Sequence, residues 1–312
     1  MTSPITGIAY ARLSAPDLDV MQGFLEDFGM VKVHRDDKRL YMRGTGDSPF
    51  IHVTELGEPG TIAYAYDAAD ESVLREFVAS GAAKGIENID EPGGGKRVVL
   101  TDPNGLSIEV VSGRQKVAPL SPRVALRTSS GPSMRQAPSR VRRMSHGVIA
   151  TPKLNETIDW FNNTFKLIQT DELYLGTPEN RLGMFSRIDQ GEQLVDHHIV
   201  FIVRNEKAGG HHTSWEVDHV DEIFVGHDFL KRRGKYEHIR GIGRHALGCQ
   251  IFDYWMSPFE QMHEHWSTSE QMNAHSSFNQ HRVDSNMGHD HGEKPTPRFS
   301  KHASTFIPRT PR

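Results

Sequence analysis

Apolar residues along the chain follow two spacings, and each spacing predicts one kind of element. Apolar positions three or four residues apart predict helices, and short runs of apolar and polar alternation predict strands. The apolar faces of two such helices consist of Leu18, Met21, Leu25 and Phe28 in the first and of Leu154, Ile158, Phe161 and Phe165 in the second. Gly29 follows the first helix and is its expected end.

The order of predicted elements occurs twice along the chain. The segment AYARLSAPDL aligns with SHGVIATPKL, and RVVLTDPNGLSIEVV aligns with QIFDYWMSPFEQMHEHW. In the first pair Pro16 meets Pro152, and in the second pair Glu109 meets Glu264. Each half therefore predicts two strand-helix-strand-strand-strand (βαβββ) units. Two such halves make an α+β protein of two tandem modules, each with a curved mixed sheet.

A basic, proline-containing stretch separates the two halves. Residues 112–143 contain eight Lys or Arg and no Asp or Glu. Removing these eight from the 36 Lys and Arg of the chain leaves 28 against 40 Asp and Glu, a net charge of −12 for the rest. The stretch is therefore expected to lie across acidic surface rather than to bind nucleic acid. The predicted organisation is a metal-free module at 1–112, a linker at 113–143, a catalytic module at 144–266 and an extended or disordered tail at 267–312.

Composition restricts the class of protein and its compartment. The chain has 312 residues, of which 36% are hydrophobic and 24% charged, which is enough for two folded domains. No apolar run is long enough to span a bilayer, and MTSPITGIAY does not have the order of a secretory signal, so a cytoplasmic protein is expected. The single cysteine, Cys249, excludes an internal disulfide and a thiolate metal site.

Histidine is the one unusual feature of the composition, because the chain has 18 of them and they cluster. Residues 1–140 hold only two, whereas residues 197–265 hold ten. Histidine binds metals and titrates near neutral pH, so this region is the expected location of the chemistry. The ten are His197, His198, His211, His212, His219, His227, His238, His245, His263 and His265.

The repeat separates candidate ligands from ordinary strand residues. The predicted ligands are His146, His212 and Glu264, and the residues in their places in the first half are Tyr10, Thr61 and Glu109. Inward-facing side chains of neighbouring strands converge, and two imidazoles with one carboxylate form a site for Fe(II), or for Mn(II), that leaves adjacent positions open. Glu264 is preferred over Glu260 because it aligns with Glu109. The first half has only one of the three ligands, so its module is expected to hold no metal.

With these residues the second half resembles the catalytic domain of type I extradiol ring-cleaving dioxygenases, of the vicinal oxygen chelate superfamily. The resemblance covers nearly the whole chain. In that family the first ligand follows the linker, as in SHGVI, and the second is the latter residue of a His-His pair, which gives His212. The third is a Glu nineteen residues after a catalytic His, as Glu264 follows His245. A family Tyr nine residues after the same His corresponds to Tyr254.

The family pattern also has a histidine fifteen residues before the second ligand, which selects His197. His198 stays an alternative, since a shift of one residue along a strand moves a side chain to the other face. His211, beside the second ligand, is expected to point outward. The other histidines of the region are expected at surfaces, in supporting contacts or at an oligomer contact.

The resemblance implies cleavage of a catecholic ring beside its diol, with both atoms of O2 incorporated. Fe(II) would bind the diol and O2, His197 would transfer a proton, and His245 and Tyr254 would hydrogen-bond the substrate oxygens. The segments FDYW and EHW resemble members that act on substituted catechols or on 2,4,5-trihydroxytoluene. The predicted pocket walls are Val148, Met184, Phe201, Trp215, Leu247 and Ile251.

Two other functions use the same fold. A glyoxalase-like isomerase usually assembles its metal site from two modules, whereas the three ligands predicted here lie in one. A non-catalytic protein that binds an aromatic ligand would need no metal. For the dioxygenase, the expected partners are O2 and a small catecholic substrate, without nucleic acid or membrane, and a homo-oligomer is the expected assembly.

Overall fold

The computed structural model describes residues 2–121, 136–283 and 290–309, and its first half forms one large sheet. The elements are β1 (Ile5–Ala15), α1 (Leu18–Phe28), β2 (Val31–Arg35), β3 (Arg39–Arg43), β4 (His52–Leu56), β5 (Gly60–Ala68), α2 (Glu71–Ala79), β6 (Glu87–Asn88), β7 (Lys96–Thr101) and β8 (Ser107–Ser112). The eight strands are ordered β2-β3-β4-β1-β5-β8-β7-β6. This half therefore consists of two βαβββ units joined through β1 and β5.

The second half repeats this arrangement and adds elements from the tail. Its elements are β9 (Val141–Thr151), α3 (Leu154–Phe165), β10 (Ile168–Tyr174), β11 (Arg181–Arg187), β12 (Val195–Asp196), β13 (Val200–Arg204), β14 (Gly209–Val217), α4 (Val220–Arg233), β15 (Glu237–Arg244), β16 (Ile251–Met256), β17 (Met262–Ser267), β18 (Gln271–Met272), β19 (Asn279–Arg282) and α5 (Pro297–Ser300). Nine strands are ordered β15-β16-β17-β14-β9-β13-β11-β10-β19, and β12 pairs separately with β18. The predicted α+β class with repeated βαβββ units is confirmed. Among the described residues no helix has the length and apolar character needed to cross a bilayer.

Helix α1 shows how local sequence sets the ends of an element. Asp17 caps it by accepting hydrogen bonds from the backbone N–H groups of Asp19 and Val20. The helix ends at Gly29, as predicted, and Gly29 has a φ of 112°. A Cβ there would lie 2.2 Å from the carbonyl oxygen of Ser139, so the close approach of the segment before β9 requires glycine as well. The predicted apolar face of α1 is buried.

Buried aromatic and imidazole rings lie between the two halves, beside a shared apolar core. The ring centroid of His52 in β4 lies 5.8 Å from that of Trp215 in β14 and 5.9 Å from that of His263 in β17. The indole N–H of Trp215 donates to His263 Nδ1 over 3.0 Å. His52 is fully buried, and burial lowers its pKa to about 3. It is therefore a neutral residue of the folded interface.

The described basic residues of the predicted linker lie against acidic side chains. Lys116 Nζ lies 2.7 Å from an oxygen of Asp47, and Arg140 Nε lies 2.8 Å from one of Asp218. β9 begins at Val141, so the last residues assigned to the linker belong to a strand. These contacts agree with the expected position across acidic surface. Three further basic residues of the stretch, Arg123, Arg127 and Arg135, lie outside the described residues.

The tail differs from the expected extended or disordered segment. β19 forms an edge of the nine-stranded sheet by pairing in parallel with β10. Ser304 bridges to Gly210 in the second half, and Phe306 bridges to Thr61 in the first. Arg309 pairs with the buried carboxylate of Glu109 and the partly exposed carboxylate of Glu87 in the N-terminal sheet. The described parts of the tail are thus packed on both halves, through tertiary contacts that a polar composition does not indicate.

We expect acid to destabilise the protein through His52. Because its folded pKa of about 3 lies below the unfolded value of about 6.5, the unfolded state takes up the proton first. Stability is therefore lost as the pH falls from about 6.5 towards 3. His52→Gln should reduce the slope of the unfolding free energy against pH by about 1.4 kcal/mol per pH unit in this window.

Denaturant unfolding at a series of pH values measures this slope. His34→Gln, at an exposed position, is the matched control and should leave the slope unchanged. Equal slopes for the wild type and His52→Gln would contradict the assignment.

Candidate metal centre and pocket

Three predicted ligands meet on adjacent strands of the nine-stranded sheet. β9 carries His146, β14 carries His212 and β17 carries Glu264. Ser214 of β14 is the register partner of both His146 and Glu264, and His212 lies two residues along β14 on the same face as Ser214. Glu264 Oε2 lies 3.3 Å from His146 Nε2 and 3.5 Å from His212 Nε2. All three residues are buried, and their ligand atoms lie within 4.8 Å of one another.

This cluster fits a divalent metal ion. Glu264 Oε2 is buried and has no hydrogen-bond partner among the described residues. Burial opposes ionisation, but His146, His212 and His245 hold the pKa of the Glu264 carboxyl well below its usual range. A buried carboxylate oxygen without a donor is costly, and a cation beside it would also bind both imidazoles. Two imidazoles and one carboxylate suit Fe(II) or Mn(II) and leave adjacent coordination positions open.

The corresponding place in the first half holds guanidinium groups. Glu109, the repeat partner of Glu264, accepts a hydrogen bond from Tyr10 Oη at 2.5 Å. It also pairs with Arg12 Nε at 3.3 Å and Arg309 Nε at 2.8 Å. By contrast, the ion-pair partners of Glu264 in the described parts of the chain are histidines. The carboxylate at this repeat position is therefore paired with arginines in the first half and surrounded by imidazoles in the second.

His245 and Tyr254 lie beside the ligand cluster. Tyr254 in β16 is the register partner of Glu264 in β17, and His245 directly follows β15. His245 Nε2 lies 2.9 Å from Tyr254 Oη and 3.4 Å from Glu264 Oε1. Burial raises the pKa of the Tyr254 hydroxyl well above its usual value, so this hydroxyl stays protonated and able to donate. Both side chains can hydrogen-bond an oxygen of a bound ligand.

The prediction that His197 faces the ligands is wrong, and the alternative, His198, occupies that position. The ring centroid of His198 lies 4.2 Å from that of His146, and His198 lines the cavity. His197 is fully buried, with Nε2 2.6 Å from Asp171 Oδ2 and Nδ1 3.0 Å from His198 Nδ1. It therefore lies behind His198. His197 and His198 lie between β12 and β13, and neighbouring residues of an extended chain point to opposite sides, so a spacing that is off by one residue selects the wrong side.

A β-bulge explains why His211 does not point outward, the orientation expected from the sequence. Gly210 pairs with Ile149 and His212 pairs with Val148, so His211 is the extra residue in β14. His211 is only 5% exposed, and its Nδ1 lies 2.7 Å from His212 Nδ1. It lines the cavity together with the ligand beside it.

A cavity of about 300 Å³ opens over the ligand cluster. The rings of Phe185, Phe201 and Phe299 form part of its wall. Phe185 and Phe201 stack with their ring centroids 3.9 Å apart, and Phe299 belongs to α5. A larger open cleft of about 630 Å³ beside the linker contains none of the predicted site residues. The smaller cavity therefore combines a volume suited to a small aromatic ligand with convergent polar groups at one end.

Half of the predicted pocket walls line this cavity. Those that line it are Val148, Phe201 and Leu247, and those that do not are Met184, Trp215 and Ile251. Met184 is in the apolar core, while its neighbour Phe185 faces the cavity. The alternation of side chains along β11 could therefore have indicated Phe185 in place of Met184. Phe299 comes from the tail, and no local pattern in the sequence points to it.

The sequence is similar to two ring-cleaving dioxygenases, although no protein-family model matches it. Metapyrocatechase 2 of Cupriavidus necator is 27% identical over 264 residues, which cover 82% of this chain and 78% of that protein. The manganese-dependent 2,3-dihydroxybiphenyl 1,2-dioxygenase of Geobacillus genomosp. 3 is 25% identical over 270 residues, which cover 83% of each.

Solved structures with the same fold extend this similarity. The Mn(II)-bound glyoxalase of Novosphingobium aromaticivorans matches with a TM-score of 0.81 and 22% identity, over 99% of this chain and 98% of that one. A variant of homoprotocatechuate 2,3-dioxygenase from Brevibacterium fuscum matches with a TM-score of 0.82 and 16% identity, over 98% and 84%. The predicted vicinal oxygen chelate fold is confirmed, and so is the resemblance to type I extradiol dioxygenases.

We expect the two neighbouring histidines of β14 to differ in metal retention. His212→Ala removes an imidazole from the cluster around Glu264 and should abolish retention of Fe(II) after anaerobic loading and desalting. His211→Ala should keep bound iron, because its ring lines the cavity without joining the three-residue cluster. Iron analysis of the desalted proteins measures both, and loss of iron in His211→Ala alone would contradict the assignment.

Proposed function

We propose that the protein is an extradiol dioxygenase that opens a catecholic ring beside its diol and incorporates both atoms of O2. The observation that carries this proposal is the combination of one open two-histidine, one-carboxylate cluster with a cavity of about 300 Å³ lined by aromatic rings. The named dioxygenase relatives support the same reaction class. His146, His212 and Glu264 would hold the metal. When bound, the metal would supply Lewis acidity and adjacent binding positions for the diol and O2.

His198 is the proposed proton acceptor for a substrate hydroxyl. Asp171 accepts the Nε2 proton of His197 over 2.6 Å, which leaves Nδ1 of His197 to accept from Nδ1–H of His198 over 3.0 Å. This hydrogen-bond order fixes the tautomer of His198 and leaves its Nε2 lone pair available. Burial lowers the pKa of His198 well below its usual value, so the imidazole is neutral before it takes up a proton.

Other side chains of the cavity would bind and orient the ring. Tyr254 and His245 would hydrogen-bond the oxygens on which negative charge develops. Phe185 and Phe201 would pack against the aromatic ring and exclude water from it. The cavity of about 300 Å³ would hold the ring in one orientation, so that proton transfer and attack of oxygen occur from a fixed geometry.

The finer points of the proposal rest on the resemblance described above. Fe(II) is the proposed metal, with Mn(II) able to use the same ligands. The proposed substrate is a substituted catechol or a trihydroxylated aromatic such as 2,4,5-trihydroxytoluene. We also propose a cytoplasmic homo-oligomer, with the metal in the module at 144–266 and a metal-free module at 1–112.

We expect anaerobic reconstitution with Fe(II) to give oxygen uptake with catechols. Uptake should be stoichiometric with formation of a yellow ring-opened product, measured with an oxygen electrode, by absorbance and by product mass. A panel of alkylated, carboxylated and trihydroxylated rings would identify the preferred substrate. No turnover on any of them with iron demonstrably bound would overturn the proposal, and isomerisation without oxygen uptake would favour a glyoxalase-like enzyme.

His198→Phe should lower kcat by about 10²–10⁴-fold while iron content stays unchanged, because the ring is kept and only the proton acceptor is lost. His197→Phe should also retain iron but lose less activity, since His197 touches the cavity only through His198. Steady-state kinetics normalised to bound iron test this ranking. A larger loss in His197→Phe than in His198→Phe would reverse the two roles.

A further inference from the structure

We infer that His227, His238 and Asp253 form a second metal site, for a divalent cation such as Zn²⁺, on the face of the sheet opposite the first. His227 lies in α4, His238 in β15 and Asp253 in β16. Asp253 alternates with Tyr254 along β16, and Tyr254 faces the first site. The two sites would therefore lie back to back across the same strands.

The geometry of this cluster is close to that of the first. His238 Nε2 lies 2.8 Å from Asp253 Oδ1, and His227 Nδ1 lies 3.1 Å from both carboxylate oxygens. One ligand atom from each residue lies within 4.8 Å of the other two. Ligand atoms about 2.1 Å from one ion, at angles between a right angle and the tetrahedral angle, lie roughly 3.0–3.4 Å apart. Small rotations of the two imidazoles would reach that spacing.

The surroundings of Asp253 also favour a bound cation. Its carboxylate is fully buried, and its ion-pair partners among the described residues are the two histidines. The indole N–H of Trp255 adds a hydrogen bond to Oδ2 at 2.6 Å but no charge. Buried carboxylates are paired with cations or bind metals, and elsewhere in this chain Glu109 has arginines for this purpose. Like those of Glu264, the ion-pair partners of Asp253 among the described residues are histidines.

An ion can reach this site from solvent. The side chains of His227 and His238 are 19% and 13% exposed, whereas that of Asp253 is 0% exposed. Imidazole and carboxylate ligands suit Zn²⁺, and two or three protein ligands leave the remaining positions to water. The bound ion would join α4 to β15 and β16, the strands that lead to His245 and carry Tyr254. Its expected role is therefore to stabilise the edge of the sheet that supports the first site.

Zn²⁺ titration of the chelator-treated, full-length protein by calorimetry tests this inference, because it requires no dioxygenase activity. The wild type should bind about two ions per chain, and His146→Ala should still bind about one. Asp253→Asn, which keeps a hydrogen-bond acceptor for Trp255 but removes the charge, should lose one ion. The double variant His146→Ala/Asp253→Asn should bind none. His275→Ala, which changes an exposed histidine paired with exposed Glu192, is the control and should still bind about two.

A melting-temperature measurement separates metal binding from folding damage. Zn²⁺ should raise the melting temperature of His146→Ala but not that of His146→Ala/His227→Ala, a second variant changed at the partly exposed ligand. The inference is overturned if the wild type binds a single ion that His146→Ala abolishes. It is also overturned if Asp253→Asn and His227→Ala retain full stoichiometry. Either result leaves the oxygen-uptake test of the proposed function unaffected.

Discussion

The second half of the molecule is arranged around one buried negative charge, the carboxylate of Glu264. Removing an ionised carboxylate from water costs several kcal/mol unless nearby groups compensate it. Here the strands on either side of β17 supply the compensating groups, with His212 in β14 and Tyr254 in β16, while His146 follows one strand further on. The oxygen that no described donor reaches is the one that faces both ligand imidazoles. A metal ion held by His146, His212 and Glu264 would offset this charge at one end of the cavity.

The N-terminal half places different residues around the corresponding carboxylate. Glu109 occupies the repeat position of Glu264, but guanidinium groups from Arg12 and Arg97 surround it, and Arg309 of the tail completes the cluster. Guanidinium groups neutralise the carboxylate through fixed hydrogen bonds and leave no place for a substrate. One repeated fold thus has a closed ionic cluster around Glu109 in one half and a histidine cluster around Glu264 in the other. The closed cluster also anchors the tail whose residue Phe299 lines the cavity.

Because successive side chains point to opposite faces of the sheet, the two faces of β16 and β17 have different contacts. Tyr254 and Glu264 face the cavity, while Asp253 and His265 are register partners on the opposite face. His265 Nε2 donates to the carbonyl oxygen of Phe28 over 2.7 Å, which ties this face to α1. The histidine-rich composition therefore reflects several separate environments: the proposed metal ligands, the hydrogen-bonded interface residues and the cluster around Asp253. In each environment, the groups that contact the imidazole determine the role of the histidine.

The sequence by itself determined the repeated βαβββ order, the end of α1 at Gly29 and the three residues that converge on adjacent strands. These follow from local spacing and from comparing one half of the chain with the other, which requires no knowledge of distant contacts. Only the tertiary structure decided between His197 and His198, which lie between β12 and β13, and only a bulge in β14 turned His211 inward. It also decided that the polar tail packs on both halves and that Phe299 lines the cavity. Those contacts join residues far apart in the chain, and their stability comes from burial and charge pairing that exist only once the two sheets have come together.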